Sequence, residues 1–497
     1  MRFRAASTRV FRRMSSSRPS MLINGALVHG GTTAAVINPA SGQEFERVPN
    51  ASAADVDSAV AAAKAAFGGW AALPFAKRAA CFISFAALLE RDKGRLAAAL
   101  SQEQGKPLKP FAVGEVKMAI GKAKACSDSA NELVPEEYER NTKGRCTCLW
   151  APRGVVAAIC PWNFPLAIAV NKMLCPLVGG NTVVLKPSPM TPLSTLLLSD
   201  LAMEAFPPGV VNILAGGSDV GAVLVEHPDV ATVTFTGSSA TGKRIMASAS
   251  PSLKKVLLEL GGNDPAIVLP GSDVAALAPQ LFQKAMFNTG QVCVALKRLY
   301  VHASQYEEMV AALGAEAREK VQQLGDGLTP GTVYGPLNNA MQRDRVEELV
   351  EDARADGARV VAGGERVRPP SAPQGFFYAP TILADLPDTA RIVREEQFGP
   401  ALPVLSYETV DEAVERANDS EYGLGASVWG ANVAEATGVA ARLQAGSIWI
   451  NNHLGSGLDI DAPFGGVKES GIGKENGGKL AFKAFCDEKY LYAPFPL

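Results

Sequence analysis

Histidine is scarce in this chain of 497 residues, and cysteine only a little less so. The four histidines, at 29, 227, 302 and 453, are too scattered to make a metal-ligand set, so no resident metal is expected. The eight cysteines (81, 126, 146, 148, 160, 175, 293 and 486) fall far below disulfide-scaffold density. None of them shows the Cys-x-x-Cys spacing of a zinc or redox motif, and reduced thiols in an intracellular compartment are the expectation. Cys146 and Cys148, one residue apart, would share a face of an extended segment. An excess of charge is missing too: 48 Lys and Arg against 50 Asp and Glu leave a net charge of -2. That gives no global field for nucleic acid or an anionic membrane, and neither partner is expected. Long apolar runs are absent, the most apolar stretch (154–170) being broken by Pro161, Asn163 and Pro165. With nothing near the roughly 18 consecutive apolar residues of a span, no membrane crossing is expected.

What is present begins with an unusual first twenty residues, MRFRAASTRVFRRMSSSRPS, with six Arg, five Ser and no acid; the first acidic residue is Glu44. This resembles an organelle transit peptide, mitochondrial before plastid. The alternatives are a disordered basic tail, or a start at Met14 or Met21 that leaves the protein cytoplasmic. The chain is long enough for two or three domains. Segments 54–67 and 75–100 are Ala-rich with helical spacing. From Val155 short β-branched runs (155–160, 182–185, 210–214, 232–235, 256–258) alternate with helix-length segments, which predicts a parallel α/β sheet. A second alternating series follows: strands at 299–302, 360–362, 426–429 and 447–451, helices over 306–324, 410–418 and 433–443. Two α/β units are therefore expected, with the break near Gly261 and Gly262. Segments 140–153 and 482–497 fit neither.

Three short stretches carry chemistry. FNTGQVCVA (287–295) holds a lone Cys after a glycine turn; LLELGGN (257–263) sets an acid at the end of an apolar strand; CPWNFP (160–165) fixes an amide between two prolines. Thiol, acid and amide are the parts needed for acyl chemistry through sulfur. With KPS (186–188), FTGSSATG (235–242), EEQFGP (395–400) and PFGGVKESG (463–471), the chain resembles the aldehyde dehydrogenase superfamily from about Ile23 to its end.

The resemblance implies an α/β fold with a Rossmann-like cofactor domain (21–127 and 150–260), a catalytic domain (261–460) and an oligomerisation hairpin. In the hairpin, segments 128–149 and 475–497 would pair across subunits of a homodimer or homotetramer. It implies Cys293 as nucleophile, Asn163 with the Cys293 N–H as oxyanion hole, Glu259 as the base that activates water, and Lys172 as orienter of the Asn163 region. The NAD or NADP site would comprise Pro161, Trp162, Lys186, Ser188, Pro189, Gly237, Ser238, Gly242, Glu259, Leu260, Gly261, Glu396 and Phe398. The glycines would let the backbone approach the pyrophosphate at a helix N-terminus. Lys186 would meet the adenosine ribose, Glu396 the nicotinamide ribose and Phe398 the nicotinamide ring. Phe164, Asn171, Phe287, Val292, His453 and Phe464 would face the aldehyde, although for His453 a structural hydrogen-bonding role is the stronger expectation.

Two departures matter. Where many NAD-preferring members place a Glu three residues past the KPS lysine, Pro189 stands, which predicts acceptance of NADP. Where succinate-semialdehyde members place an Arg before the Asn of the Cys loop, Phe287 stands, which predicts an uncharged or weakly polar aldehyde. The rival functions are a CoA-acylating dehydrogenase, disfavoured by the presence of Glu259, and an idle scaffold, disfavoured by the retention of Cys293, Glu259 and Asn163. A Cys protease fails for want of a suitably placed His.

Overall fold

The computed structural model describes residues 18–129, 136–141, 144–454, 462–475 and 479–494. Residues 1–17 of the expected targeting segment and 455–461 of the expected substrate loop lie outside the described residues.

Two large sheets carry the site. The first has eight strands in the spatial order Gly471–Ile472, Lys255–Glu259, Val230–Thr236, Val155–Ile159, Thr182–Lys186, Val211–Ile213, Met21–Ile23, Ala26–Val28. Its five strands between 155 and 259 are parallel, and antiparallel strands close both edges. Thr182–Lys186 is buried along its whole length, as a strand covered on both faces must be, which is why it reads as a continuous run. The chain enters at Val155–Ile159, moves outward twice, then returns to the other side of the same strand with Val230–Thr236. Such a reversal leaves a crevice at the carboxyl ends of the two adjacent strands, the usual ligand position in open parallel sheets.

The second sheet has seven strands in the order Arg359–Ala362, Thr381–Ala384, Ala401–Tyr407, Leu296–His302, Asp264–Val268, Gly425–Trp429, Ser447–Ile450, with only the first antiparallel to its neighbour. The chain crosses from the first sheet to the second between Glu259 and Asp264. The carboxyl end of Lys255–Glu259 and the entry to Leu296–His302 therefore meet at the seam between the sheets.

The helical segment 75–100 is two helices, Phe75–Arg91 and Lys93–Gln104, parted at Asp92. The helix at 54–67 runs over Ala53–Ala72, started by a capping box in which Ser52 and Asp55 satisfy each other's backbone N–H. The segments that fitted neither unit form a three-stranded sheet: Gly144–Pro152 pairs with Glu136–Asn141 and along its full length with Cys486–Pro494. The strands from 128–149 and 475–497 thus pair with each other inside one chain. Cys146 and Cys148 do share the buried face. Among the described residues, no single helix is long and apolar enough to cross a membrane.

Candidate active site

Cys293 lies between the turn Phe287–Gly290 and the strand Leu296–His302, and it is half-buried. The backbone before it is left-handed at three successive residues, Asn288 (φ 50°), Thr289 (φ 56°) and Gly290 (φ 73°). At Gly290 a Cβ would fall 2.1 Å from the carbonyl oxygen of Gly399, so only glycine fits. Such strain persists because the surroundings over-determine it. Gln291 donates to the carbonyls of Asn288 (3.0 Å) and Pro336 (3.3 Å) and accepts from Asn338 N–H (2.8 Å), while Thr289 Oγ1 donates to the Gly335 carbonyl (2.9 Å). On the other side Gly262 lets the chain through, since a Cβ there would meet the Cys293 carbonyl oxygen at 2.1 Å.

Burial pushes the Cys293 thiol well above the ordinary range, and Glu259, Glu396 and Asp264 push it the same way; the N–H of Val294 opposes them. Around the sulfur pack Val292, Leu424, Trp449 and Leu454, with Phe164, Phe287 and Phe464 partly open. Phe164 and Phe287 are stacked, 6.4 Å between centroids. Four of the expected substrate residues, Phe164, Phe287, Val292 and Phe464, are thus brought to the nucleophile.

The other two are polar and hold hydrogen bonds. Asn171, half-buried on the helix Pro165–Val178, accepts one from the Cys175 thiol (3.3 Å). His453 is fully buried, with Nε2 3.0 Å from the Val294 carbonyl oxygen and Nδ1 2.9 Å from Ser427 Oγ. With both ring nitrogens engaged, His453 has the structural hydrogen-bonding role and not the substrate-facing one.

Glu259 ends its strand with a buried carboxylate, and among the described residues neither oxygen has a hydrogen-bond partner. Burial holds its pKa well above the usual carboxylate value, and the charge of Glu475 raises it further against the pull of Lys172. Lys172 itself is ion-paired with Glu475 and donates to Thr234 Oγ1 (2.8 Å). It does not touch Asn163, contrary to expectation. The cation at Asn163 is Lys106, whose Nζ donates to the Asn163 carbonyl (2.8 Å) and to Glu115 (2.5 Å) and lies 4.0 Å from the Phe164 ring centroid. The other oxygen of Glu115 accepts from the N–H groups of Leu166 and Ala167 (2.9 and 3.1 Å), capping the helix that follows Asn163. One N–H of the buried Asn163 amide goes to the Gln291 carbonyl (3.2 Å), leaving its second for another acceptor. Sequence pattern offered no signal for Lys106, Glu115 or Glu475, since two of these acids and a lysine in helical or loop context read as solvated charges.

The crevice predicted by the strand reversal is a cavity of about 390 Å³, whose lining includes Ile159, Cys160, Lys186, Ser188, Pro189, Ser218, Phe235 and Arg244 but no Asp or Glu. Burial lowers the Lys186 ammonium to about 8. Ser238 caps the helix Ser239–Ala249 that opens beside it. At the glycines, the Gly237 N–H is bonded to the Glu259 carbonyl (3.0 Å), and a Cβ at Gly237 or Gly242 would strike Phe235 (2.3 Å) or Leu260 (2.6 Å). Their smallness serves packing beneath the crevice. Nearer Cys293, Trp162 and Phe398 meet edge to face at 5.1 Å, with Pro161 beside them in sequence. Glu396 accepts from Gly262 N–H (3.0 Å), packs against Gly261 and is raised by burial to about 7. Lys297, which sequence reading missed, is buried, donates to the Gly399 carbonyl (2.7 Å) and is lowered by burial to about 7.

A thiol in an aromatic pocket, an unpartnered buried acid and a crevice at the strand reversal are the parts of an aldehyde-oxidising site, and the match extends to the whole chain. The aldehyde dehydrogenase family model matches residues 28–491, and the chain belongs to that family; it is an aldehyde dehydrogenase, an oxidoreductase. It is 41% identical over 459 residues to the aldehyde dehydrogenase DhaS of Bacillus subtilis, covering 90% of each chain. It is 39% identical to a geranial dehydrogenase of Castellaniella defragrans, covering 89% of this chain and 91% of that one. The solved NAD+ complex of an aldehyde dehydrogenase from Bacillus cereus superposes with a TM-score of 0.93 at 37% identity, covering 98% of both chains.

Proposed function

We propose that Cys293 is the nucleophile, Asn163 an oxyanion donor and Glu259 the hydrolytic base in the NAD- or NADP-dependent oxidation of an uncharged aldehyde to its acid. The observation that carries this is the Glu259 carboxylate, buried without a hydrogen-bond partner among the described residues while its charge acts on the Cys293 thiol. An idle buried acid of that kind would be costly to keep.

When bound, NAD or NADP would supply the acceptor for a hydride, two electrons with one proton, from the carbon bonded to the Cys293 sulfur. The residues present fit it: Lys186, Ser188 and the capped helix at the crevice for the ribose and phosphates, Glu396, Trp162 and Phe398 for the nicotinamide end. Cys293 first gives up its thiol proton to solvent; the thiolate then adds to the aldehyde carbon, and the free N–H of Asn163 with the Cys293 N–H stabilises the oxyanion that develops. After oxidation the acyl group rests on sulfur as a thioester. Glu259 takes a proton from water, the hydroxyl oxygen adds to the thioester carbon, and the C–S bond breaks to return the thiolate. Because Glu259 stands ready, water is preferred to CoA as acceptor; stimulation by CoA with an acyl-CoA product would reverse that choice.

Phe287 supports an uncharged substrate, and a relative named for geranial is in keeping with it. In a panel of aliphatic, aromatic, amino and semialdehyde substrates, kcat/KM is expected to be highest for uncharged aldehydes, and Phe287→Arg to raise succinate semialdehyde oxidation at least about tenfold. The best substrate proving to be a carboxylated aldehyde would sink this assignment.

Pro189 and the absence of an acid from the crevice lining support use of NADP. Comparable kcat/KM with the two cofactors is expected; a preference for NAD above roughly a hundredfold excludes a site that does not discriminate. Arg244→Ala is expected to lower kcat/KM for NADP about tenfold and leave NAD within twofold, since a guanidinium on the crevice lining would pair with the extra phosphate.

A homodimer or homotetramer is proposed on the exposed Tyr490, Leu491 and Tyr492 of Cys486–Pro494, an apolar strip that a second copy would cover. Light scattering at micromolar concentration tests it, a monomer overturning it. The proposed domains are 21–127 with 150–260 for the cofactor and 261–460 for catalysis, and residues 1–20 are proposed as a mitochondrial targeting segment.

A further inference from the structure

His453 sits at one end of a hydrogen-bond chain whose proton positions are fixed by its members. Trp429 Nε1–H, a donor only, gives its proton to Ser427 Oγ (2.9 Å). Ser427 Oγ keeps its own hydrogen available for His453 Nδ1, 2.9 Å away. Nε2 faces two acceptors, the Val294 carbonyl oxygen at 3.0 Å and Asp264 Oδ2 at 3.5 Å, and must carry the ring proton. Asp264 is held in place by Gly425 N–H on its other oxygen (3.0 Å), so the shorter contact, to Val294, is the one the imidazole makes. Trp449 packs against the ring at 5.2 Å and fixes its plane.

Val294 follows the nucleophile, and its N–H is the group that favours a negative sulfur at Cys293. Burial, then Glu259, Glu396 and Asp264, work against the thiolate. The loop carrying Val294 leaves a run of left-handed residues and has no regular ladder until Leu296. We propose that His453 is a positioning residue for the nucleophile, its Nε2–H holding the Val294 carbonyl and with it the backbone turn that carries Cys293. The inference rests on Cys293 being the nucleophile.

The test compares His453→Asn and His453→Gln. An Asn amide reaches Ser427 but not Val294, whereas Gln can place an N–H where Nε2 lies. Expected for His453→Asn is an iodoacetamide alkylation rate of Cys293 at pH 8 lowered at least threefold, a rate-against-pH curve displaced upward, and kcat down about tenfold with KM for NAD unchanged; His453→Gln restores most of this. Wild-type-like alkylation of His453→Asn, or no recovery in His453→Gln, overturns the proposal. Wild-type enzyme that stays active after Cys293 is alkylated overturns the nucleophile assignment instead. Should the Asn variant not fold, ¹⁵N-histidine spectra of the wild type decide: His453 as the Nε2–H tautomer is required, and the Nδ1–H form or the imidazolium overturns the proposal.

Discussion

Replacing Glu259 by Gln is expected to leave one burst of reduced cofactor per subunit and then almost no turnover, with the steady rate down about 10²- to 10⁴-fold. Cys293→Ala is expected to remove burst and turnover together, a loss on the order of 10⁵-fold. The contrast follows from where each group acts. The thiolate is needed to form the acyl-enzyme, so its loss stops the first step. Glu259 is needed only to bring water to the thioester, and Gln keeps the shape while removing the base. Stopped-flow absorbance of the reduced cofactor reads both at once; a Glu259→Gln enzyme with no burst would move the residue to an earlier step. pH gives a second handle. Burial and Glu475 raise the Glu259 pKa, so the carboxylate is protonated, and useless as a base, over a window reaching above the usual carboxylate range. The steady rate should therefore climb with pH through that raised value, whereas an ordinary carboxylate would already be ionised well below neutrality.

How much of this was legible before any coordinates depends on what kind of physics each part obeys. The strands of the first sheet announce themselves because both faces are buried and their residues are apolar without interruption; Thr182–Lys186 needs nothing more. Asp264–Val268 and Ala401–Tyr407, central strands of the second sheet, passed unread. The first begins Asp-Pro and the second holds Pro403, residues that argue against a central strand, and only the sheet context overrides them. Cys293, Glu259 and Asn163 could be singled out by motif, and the structure gathers them at the seam between sheets. His453 was placed by its position in the chain near a substrate loop, yet the direction of its ring is set by Ser427 and Val294, far off in sequence. Lys172 and Lys106 show the same limit: two buried lysines serve two different acids, and which one holds Asn163 is a matter of packing alone. Periodicity reports which face of an element is apolar and is silent about where a long charged side chain on that element ends.

Lys106→Met is expected to destabilise the fold by about 3 to 5 kcal/mol and to depress kcat in the fraction that folds. The ion pair it forms with Glu115 is almost completely buried, each side chain being 1% exposed. Taking away the ammonium leaves Glu115 with the N–H groups of Leu166 and Ala167 but without its counter-charge in a dry site, which is the costly half of breaking a buried pair. Glu115→Gln should do less harm, because the amide oxygen still accepts from the helix N-terminus while Lys106, already lowered by burial, can shed its proton. The double variant Lys106→Met/Glu115→Gln should recover part of the stability lost by Lys106→Met alone, since no lone charge then remains buried. It should not recover kcat. The Asn163 carbonyl has lost its Lys106 donor in both, and the amide that would stabilise the oxyanion is carried by the same residue. Thermal melting read beside burst kinetics separates these outcomes: stability returning together with kcat would show that Lys106 acts on the fold only and leaves Asn163 where it was.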